Sequence, residues 1–194
     1  MNPFLPALRL FAALTLLTGV LYPLTVTALA RLLFPKQAGG SLVVRDGHVR
    51  GATLLAQRFG SPRYFWPRPS AGDDGRDYVT VASAASNQGP TSAGLKQAVA
   101  ARADALRAAH GLATDASVPP ELVLASGSGL DPHLSPDAVR FQLDRVGRAR
   151  GFNAAQRTAL ARLVEQSIEP PQWGFLGEPR VNVLTLNLAL DQLE

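Results

Sequence analysis

The chain has no cysteine, which excludes disulfides, thiol nucleophiles, thiolate metal sites and an anchor built on a lipid-modified cysteine. Histidine is nearly as scarce: there are three in 194 residues. None is paired with another at i, i+4, and no zinc-type ligand spacing occurs, so no metal site is expected. The sequence also lacks a G-x-x-x-x-G-K-[ST] phosphate loop and a G-x-G-x-x-G turn, which argues against nucleotide hydrolysis by this chain alone. A dominant charge is missing too. The calculated pI of 10.1 reflects a net charge of only +4, and from residue 34 onward 17 basic side chains face 15 acidic ones. Nucleic-acid binding normally requires a basic stripe in clear excess, so nucleic acid is not an expected partner. Seventeen of the 19 basic residues are arginine, which reads first as a coding bias.

Beyond the first 34 residues no long apolar run occurs, and the one at the N-terminus dominates the reading. Residues 10–30 lie between Arg9 and Arg31 without a charged side chain. At 1.5 Å per residue a helix of that length spans about 31 Å, against a hydrocarbon core of about 30 Å. Ala28-Leu29-Ala30 has the small-x-small form of a signal cleavage site. The run nevertheless exceeds the apolar core of a typical signal, and Leu32, Leu33 and Phe34 continue it past the cut. It is therefore read as a retained anchor. The expected organisation is a short tail (1–9), one transmembrane helix (10–33) and one globular accessory domain (34–194). Positive charge flanks the span more heavily on its C-terminal side (Arg31, Lys36, Arg45, Arg50) than on its N-terminal side (Arg9). Taken literally that favours a cytoplasmic domain, but long domains translocate largely regardless of charge, so the count leaves orientation open.

In the globular part, residues 41–44 and Val49 flank an Asp46-Gly47 turn, a hairpin signal. Residues 51–59 read equally as more sheet or as a short helix. Residues 61–90 are rich in Pro, Gly, Ser and Asp, yet Tyr64, Phe65, Trp66 and Tyr78 predict a packed loop, since disordered segments are poor in aromatics. Thr91 or Ser92 is placed to cap a helix running to about His110 and stopped by Gly111. Ser135-Pro136-Asp137 opens a second helix that Gly151 closes, with Val139, Leu143 and Val146 on one face and Arg145, Arg148 and Arg150 toward its C-terminal end. Asn153 and Gln156 form a capping box for a third, with the stripe Leu160, Val164 and Ile168, ended by Pro170-Pro171. A short strand near Val181 followed by a helix completes an α+β domain.

The stretch 126–133 (SGSGLDPH) places two hydroxyls, a carboxylate and an imidazole within eight residues. Neither Ser126 nor Ser128 has the flanking glycines of a nucleophile elbow, so a glycine-rich turn before a capped helix is the favoured reading. A serine hydrolase using Ser126 or Ser128 with His133 is the enzymatic alternative, and Asp131, His133 and Asp137 are the candidate metal trio. The run 63–70 (RYFWPRPS) interleaves guanidinia with aromatics, which suits both an interface hot spot and internal stacking. Residues 86–91 gather polar side chains before a helix start, a turn and cap or a polar binding edge.

In order and spacing, several strings resemble the C subunit of the Kdp high-affinity potassium-transporting ATPase. They are Tyr64-Phe65 with Arg68-Pro69-Ser70-Ala71, then Ser86-Asn87 with Gly89-Pro90-Thr91, then the whole of 126–133. Arg145-Val146, Arg150-Gly151 and the run 177–183 (GEPRVNV) follow. The resemblance covers nearly the whole chain. It implies a non-hydrolytic accessory subunit in the cytoplasmic (inner) membrane, with its globular domain outside. The implied partners are a channel-like potassium-translocating subunit and an ATP-hydrolysing P-type subunit, whose ATP affinity the chain raises as a catalytic chaperone. No tightly bound cofactor is implied; ATP enters through the hydrolytic partner. A nucleotide-interacting signature in the family corresponds to Ser83, Ser86 and Asn87, but Ala84-Ala85 replace its glycines and Gln88 a common leucine. The replacement removes freedom for positive φ and fills space near a phosphate. A nucleotide-sensing module is the remaining alternative. Arg68, Ser128, Asp131, Asn182 and Asn187 are the residues expected, by type, to face a partner or the ion.

Overall fold

A computed structural model of the chain describes residues 3–70 and 83–193; Ala71 and Tyr78, named above, lie outside them. The chain forms two compact units, Met1–Ala52 and Thr53–Glu194. The first contains a 30-residue apolar helix, α1 (Phe4–Leu33). None of its helical segments buries a side chain within the protein. Its hydrogen bonding widens to a π-turn over Leu17–Leu21, just before Pro23. Proline lacks an N–H, and its ring crowds the carbonyl four residues back, so the ladder is displaced there. Phe34 leaves helical geometry and a single turn, α2 (Pro35–Ala38), follows. The hairpin of β1 (Leu42–Arg45) and β2 (His48–Ala52) then pairs Leu42 with Ala52 and Arg45 with His48. Asp46 and Gly47 form its turn, both at positive φ (53° and 75°), as a two-residue loop of this hand requires. The hairpin, assigned above to the globular region, thus groups with the long helix.

The second unit's first helix is α3 (Ala93–His110), capped by the Ser92 hydroxyl on the Leu95 N–H and stopped by Gly111 at φ 67°. A helical turn at Pro120–Leu122 precedes β3 (His133–Leu134). Next come α4 (Pro136–Arg140), capped by Ser135, and α5 (Leu143–Ala149). α6 (Ala154–Gln166) opens with the expected Asn153–Gln156 capping box. β4 (Val181–Asn182) pairs antiparallel with β3, and α7 (Val183–Leu190) closes the fold. The architecture is α+β. α6 packs against α4, α5 and α7, around a core that includes Phe65, Leu134, Val139, Val146, Leu160, Val164, Val181 and Leu186.

Three stretches differ from the sequence expectation. The single helix predicted from Ser135 to Gly151 is two helices, because the Gln142 N–H bonds three residues back to Val139 (2.9 Å) and its side chain turns inward. The helix after Asn153 ends at Gln166, leaving Ile168 outside it. Residues 53–59 form neither strand nor helix.

The segment 62–69 turns at 62–64, buries Phe65, leaves 66–69 half-buried and belongs to no sheet, with prolines at 62, 67 and 69. Proline cannot donate to a ladder, and side chains take the place of a partner strand. Asn187 accepts from the Phe65 N–H (2.8 Å) and donates to its carbonyl (2.9 Å). Gln142 does the same for Trp66, accepting at 2.8 Å and donating at 3.1 Å. Arg145 donates to the carbonyls of Pro62 (2.7 Å) and Tyr64 (3.0 Å), and Arg150 to that of Arg63 (2.8 Å).

Arg145 was expected among the cations at a helix end, but it is 2% exposed. The reason is its set of neutral acceptors. Besides the two carbonyls it bonds Gln142 Oε1 (2.6 Å) and His110 Nε2 (3.1 Å), and its guanidinium lies 3.8 Å from the Trp66 ring centroid. Burial lowers its pKa to about 10, so it stays charged at neutral pH. Burial, followed by the charges of Arg145 and Arg148, lowers the His110 pKa to about 4. The neutral ring thus accepts from Arg145 and stacks on Phe141 at 4.4 Å between centroids.

Arg145→Lys removes the planar fork that spans four acceptors and is expected to destabilise the globular unit by about 3 kcal/mol. Thermal melts of the detergent-solubilised chain, followed by near-UV circular dichroism, check this. For His110 the folded-state pKa is depressed, so its contribution is present above pH 6.5 and is lost as pH falls toward 4. Between pH 6.5 and 5 the wild type is expected to lose about 1–2 kcal/mol through this group. A His110→Gln variant is expected to show a flatter dependence of Tm on pH in that window; equal slopes would refute it.

Candidate functional site

The side-chain ties on segment 62–67 bring Arg68-Pro69-Ser70 against the turn 126–133. The Ser126 N–H donates to the Pro69 carbonyl (3.2 Å), and Arg68 pairs with Asp131 at 3.0 Å. The other Asp131 oxygen accepts from the His133 N–H (3.0 Å), an Asx turn, while Ser128 Oγ accepts from the Leu130 N–H (3.1 Å). On a further side, the Ala56 N–H donates to the Leu130 carbonyl (2.9 Å). The glycine-rich character of the turn has its reason at Gly129. This residue has φ +70°, and a Cβ there would lie 2.6 Å from Ser70 Oγ and 2.7 Å from the Ala84 carbonyl oxygen.

Most of the chemistry-bearing groups of 126–133 are engaged inside the fold. Ser126 is buried, and neither it nor Ser128 hydrogen-bonds His133 among the described residues. The His133 imidazole has its pKa lowered, first by burial and then by the Arg180 charge, against the opposing charges of Glu169 and Asp131. Asp137 turns to Arg140 (3.0 Å), which also holds Glu165 bidentately at 2.8 Å. A nucleophile–base pair needs hydrogen-bond contact, and this turn holds none.

The five residues expected to face a partner or the ion separate into two groups. Ser128 is exposed, and the Arg68 and Asp131 side chains are 26% and 33% exposed. Asn182 and Asn187 are 4% and 1% exposed, so the expectation that they present polar atoms at the surface does not hold. Asn187 is committed to Phe65. Asn182 caps α7 by accepting from the Thr185 N–H (3.1 Å) and donates to the Thr53 carbonyl (2.7 Å). An amide that completes buried backbone pairing offers nothing to solvent.

The nucleotide candidates lie along the approach to α3. Ser83 donates to the Ser128 carbonyl (2.9 Å), joining two of the strings that the sequence singled out. Ser86 and Asn87 are exposed, with Asn87 at φ 50°. A depression of about 350 Å³ beside them is lined by Ser86, Gln88, Gly94, Leu95 and Arg102, among others. Sequence reasoning passed over Gln142 and read Arg145 as a helix-end cation, not as a buried donor. The available signal was a carboxamide and a guanidinium three residues apart on the same helical face as Val139 and Val146.

Comparison with known proteins gives one consistent result. A family described as "K+-transporting ATPase, c chain" matches residues 4–192. A protein named potassium-transporting ATPase KdpC subunit from Methylococcus capsulatus is 53% identical over 192 residues, covering 99% of this chain and 98% of its own. Proteins of the same name from Rhodospirillum rubrum (54% over 187 residues; 96% and 94%) and Sorangium cellulosum (55% over 186; 96% and 95%) are equally similar. The anchor-length helix, the Arg68–Asp131 junction and the 177–183 run all fall within the matched span, and the chain belongs to the family of KdpC subunits of potassium-transporting ATPases.

Proposed function

We propose that this chain is an accessory subunit of an ATP-driven high-affinity potassium uptake pump, without hydrolytic chemistry of its own. The observation that carries the reading is the family match over residues 4–192, in a chain whose most enzyme-like stretch is spent on internal bonds. α1 crosses the cytoplasmic membrane once. Its 30 residues bury none of their side chains in the protein, so lipid or another subunit's helix must cover them. The globular unit stands on the outer face, as the resemblance implies. There Ser128, Asp131 and Arg68 are the site candidates with surface left to meet a partner, while Asn182 and Asn187 act from inside. The partners are a channel-like potassium-translocating subunit and the ATP-hydrolysing subunit. The chain stabilises their assembly and raises the ATP affinity of the hydrolytic one. Any nucleotide contact by this chain itself runs along Ser83, Ser86 and Asn87.

Affinity purification of the tagged full chain from membranes that produce the whole pump is expected to recover two larger membrane proteins. Deleting the chain is expected to abolish growth on limiting potassium; a lone monomer whose loss leaves uptake intact would overturn the assignment. Omitting the chain from the reconstituted pump is expected to raise the KM for ATP severalfold, and an unchanged KM would remove the chaperone role alone. Because the protein has no cysteine, a single Ser117→Cys variant reports sidedness. An impermeant maleimide is expected to label it from outside intact cells.

A further inference from the structure

Between α6 and β4 the chain forms a finger, residues 169–180, whose backbone is braced but whose apolar tip is exposed. At its base Glu169 and Arg180 exchange backbone hydrogen bonds (2.8 and 3.0 Å), and their side chains pair at 3.1 Å. Nearer the tip Gln172 and Leu176 exchange a second pair (2.9 Å each). The Gly174 and Phe175 N–H groups turn back to the carbonyls of Pro171 (3.0 Å) and Gln172 (3.3 Å). Trp173, inside this turn, has φ 54°, a left-handed conformation whose strain a glycine would avoid. The Trp173 and Phe175 rings lie 6.5 Å apart and are 84% and 73% exposed. For comparison, the most exposed large apolar side chain of α1 is Leu32, at 76%.

Residues 170–177 carry no charged side chain. At about 150–250 Å² per aromatic side chain, the two rings offer roughly 300 Å², well under the about 800 Å² that each side of a specific protein interface contributes. The patch cannot grow along the chain, because Glu169, Glu178 and Arg180 beside it are charged and exposed. A lipid surface needs no larger patch. Tryptophan is favoured at headgroup level and phenylalanine at the acyl boundary. A segment entering that layer must pair its own backbone, as the two rungs do. α1, long and apolar enough to cross a membrane, keeps a bilayer at high effective concentration. We propose that the finger is a second membrane contact, with Trp173, Phe175 and Leu176 entering the interfacial layer by apolar contact and not by headgroup charge. The proposal rests on the reading that α1 crosses the membrane, and the experiment reads the two separately.

The full chain is reconstituted in phosphatidylcholine vesicles, whose flotation reports α1. The chain has two tryptophans, so Trp173→Phe leaves Trp66 as sole emitter and sets the background. Phosphatidylcholine brominated near the headgroup end of its acyl chains is expected to quench the wild type clearly more than Trp173→Phe. Phe175→Asp is expected to weaken insertion about tenfold or more, as an ionised side chain in an apolar layer implies. Its quenching then falls to the background while flotation and Tm are unchanged. Adding phosphatidylglycerol is expected to alter nothing, because no charge enters the layer. Wild-type quenching at background, full quenching of Phe175→Asp, or quenching that requires phosphatidylglycerol would each overturn the proposal. So would a Trp173 shielded from iodide only in the assembled pump and never quenched by lipid, which assigns the finger to another subunit. A chain that does not float, but whose Trp173 is quenched by added brominated vesicles, would overturn the anchor alone; one that neither floats nor is quenched would overturn both.

Discussion

The globular unit depends on how a proline-interrupted strand is given its hydrogen bonds. Segment 62–67 enters the core at Phe65, where an unpaired backbone group costs about as much as a lost hydrogen bond. Prolines at its ends prevent a regular ladder. Asn187 and Gln142 each present a carboxamide, which has the donor and acceptor of a peptide group, and pair Phe65 and Trp66 as a neighbouring strand would. Arg145 and Arg150 take carbonyls that remain. Four side chains, one from α7 and three from residues 142–150, thus form the missing strand.

That arrangement explains why a cation is tolerated in the interior. Among the described residues Arg145 meets no carboxylate; its charge is distributed over two carbonyls, an amide oxygen, a neutral imidazole and the face of Trp66. His110 must be neutral to accept, and its burial and cationic neighbours keep it so. The tie extends to the end of the fold. Arg150 bonds Asp191 (2.7 Å), which also accepts from the Tyr64 hydroxyl (3.2 Å). Once 62–67 is fixed, Arg68 reaches Asp131 and Pro69 reaches Ser126, so the family's characteristic strings meet as one junction. These polar groups hold a shape, which fits a subunit of a transport complex.

Much of the fold was legible because its determinants are local. Ser92, Ser135 and Asn153 each bond an N–H three residues on, a distance that the sequence displays directly. Gly111 and the Asp46-Gly47 turn announce their positive φ by residue type. The apolar run of α1 needed only counting, although its π-turn at Leu17–Leu21 exceeded what a proline signal specifies. The break at Phe141–Gln142 was not legible. Val139, Leu143 and Val146 keep helical spacing across it, and only the inward turn of Gln142 toward Trp66 interrupts the helix.

By itself, then, the sequence determined the apolar helix, the helix caps, the hairpin, the α+β class and the family, all written in composition or in residues a few positions apart. The tertiary structure alone decided which polar side chains are internal. Asn187 and Gln142 find their partners 122 and 76 residues away. A carboxamide or guanidinium has the same identity whether it faces water or a buried peptide group. Only the folded chain brings that peptide group within 3 Å, and burial follows because the pairing replaces the water each group gives up.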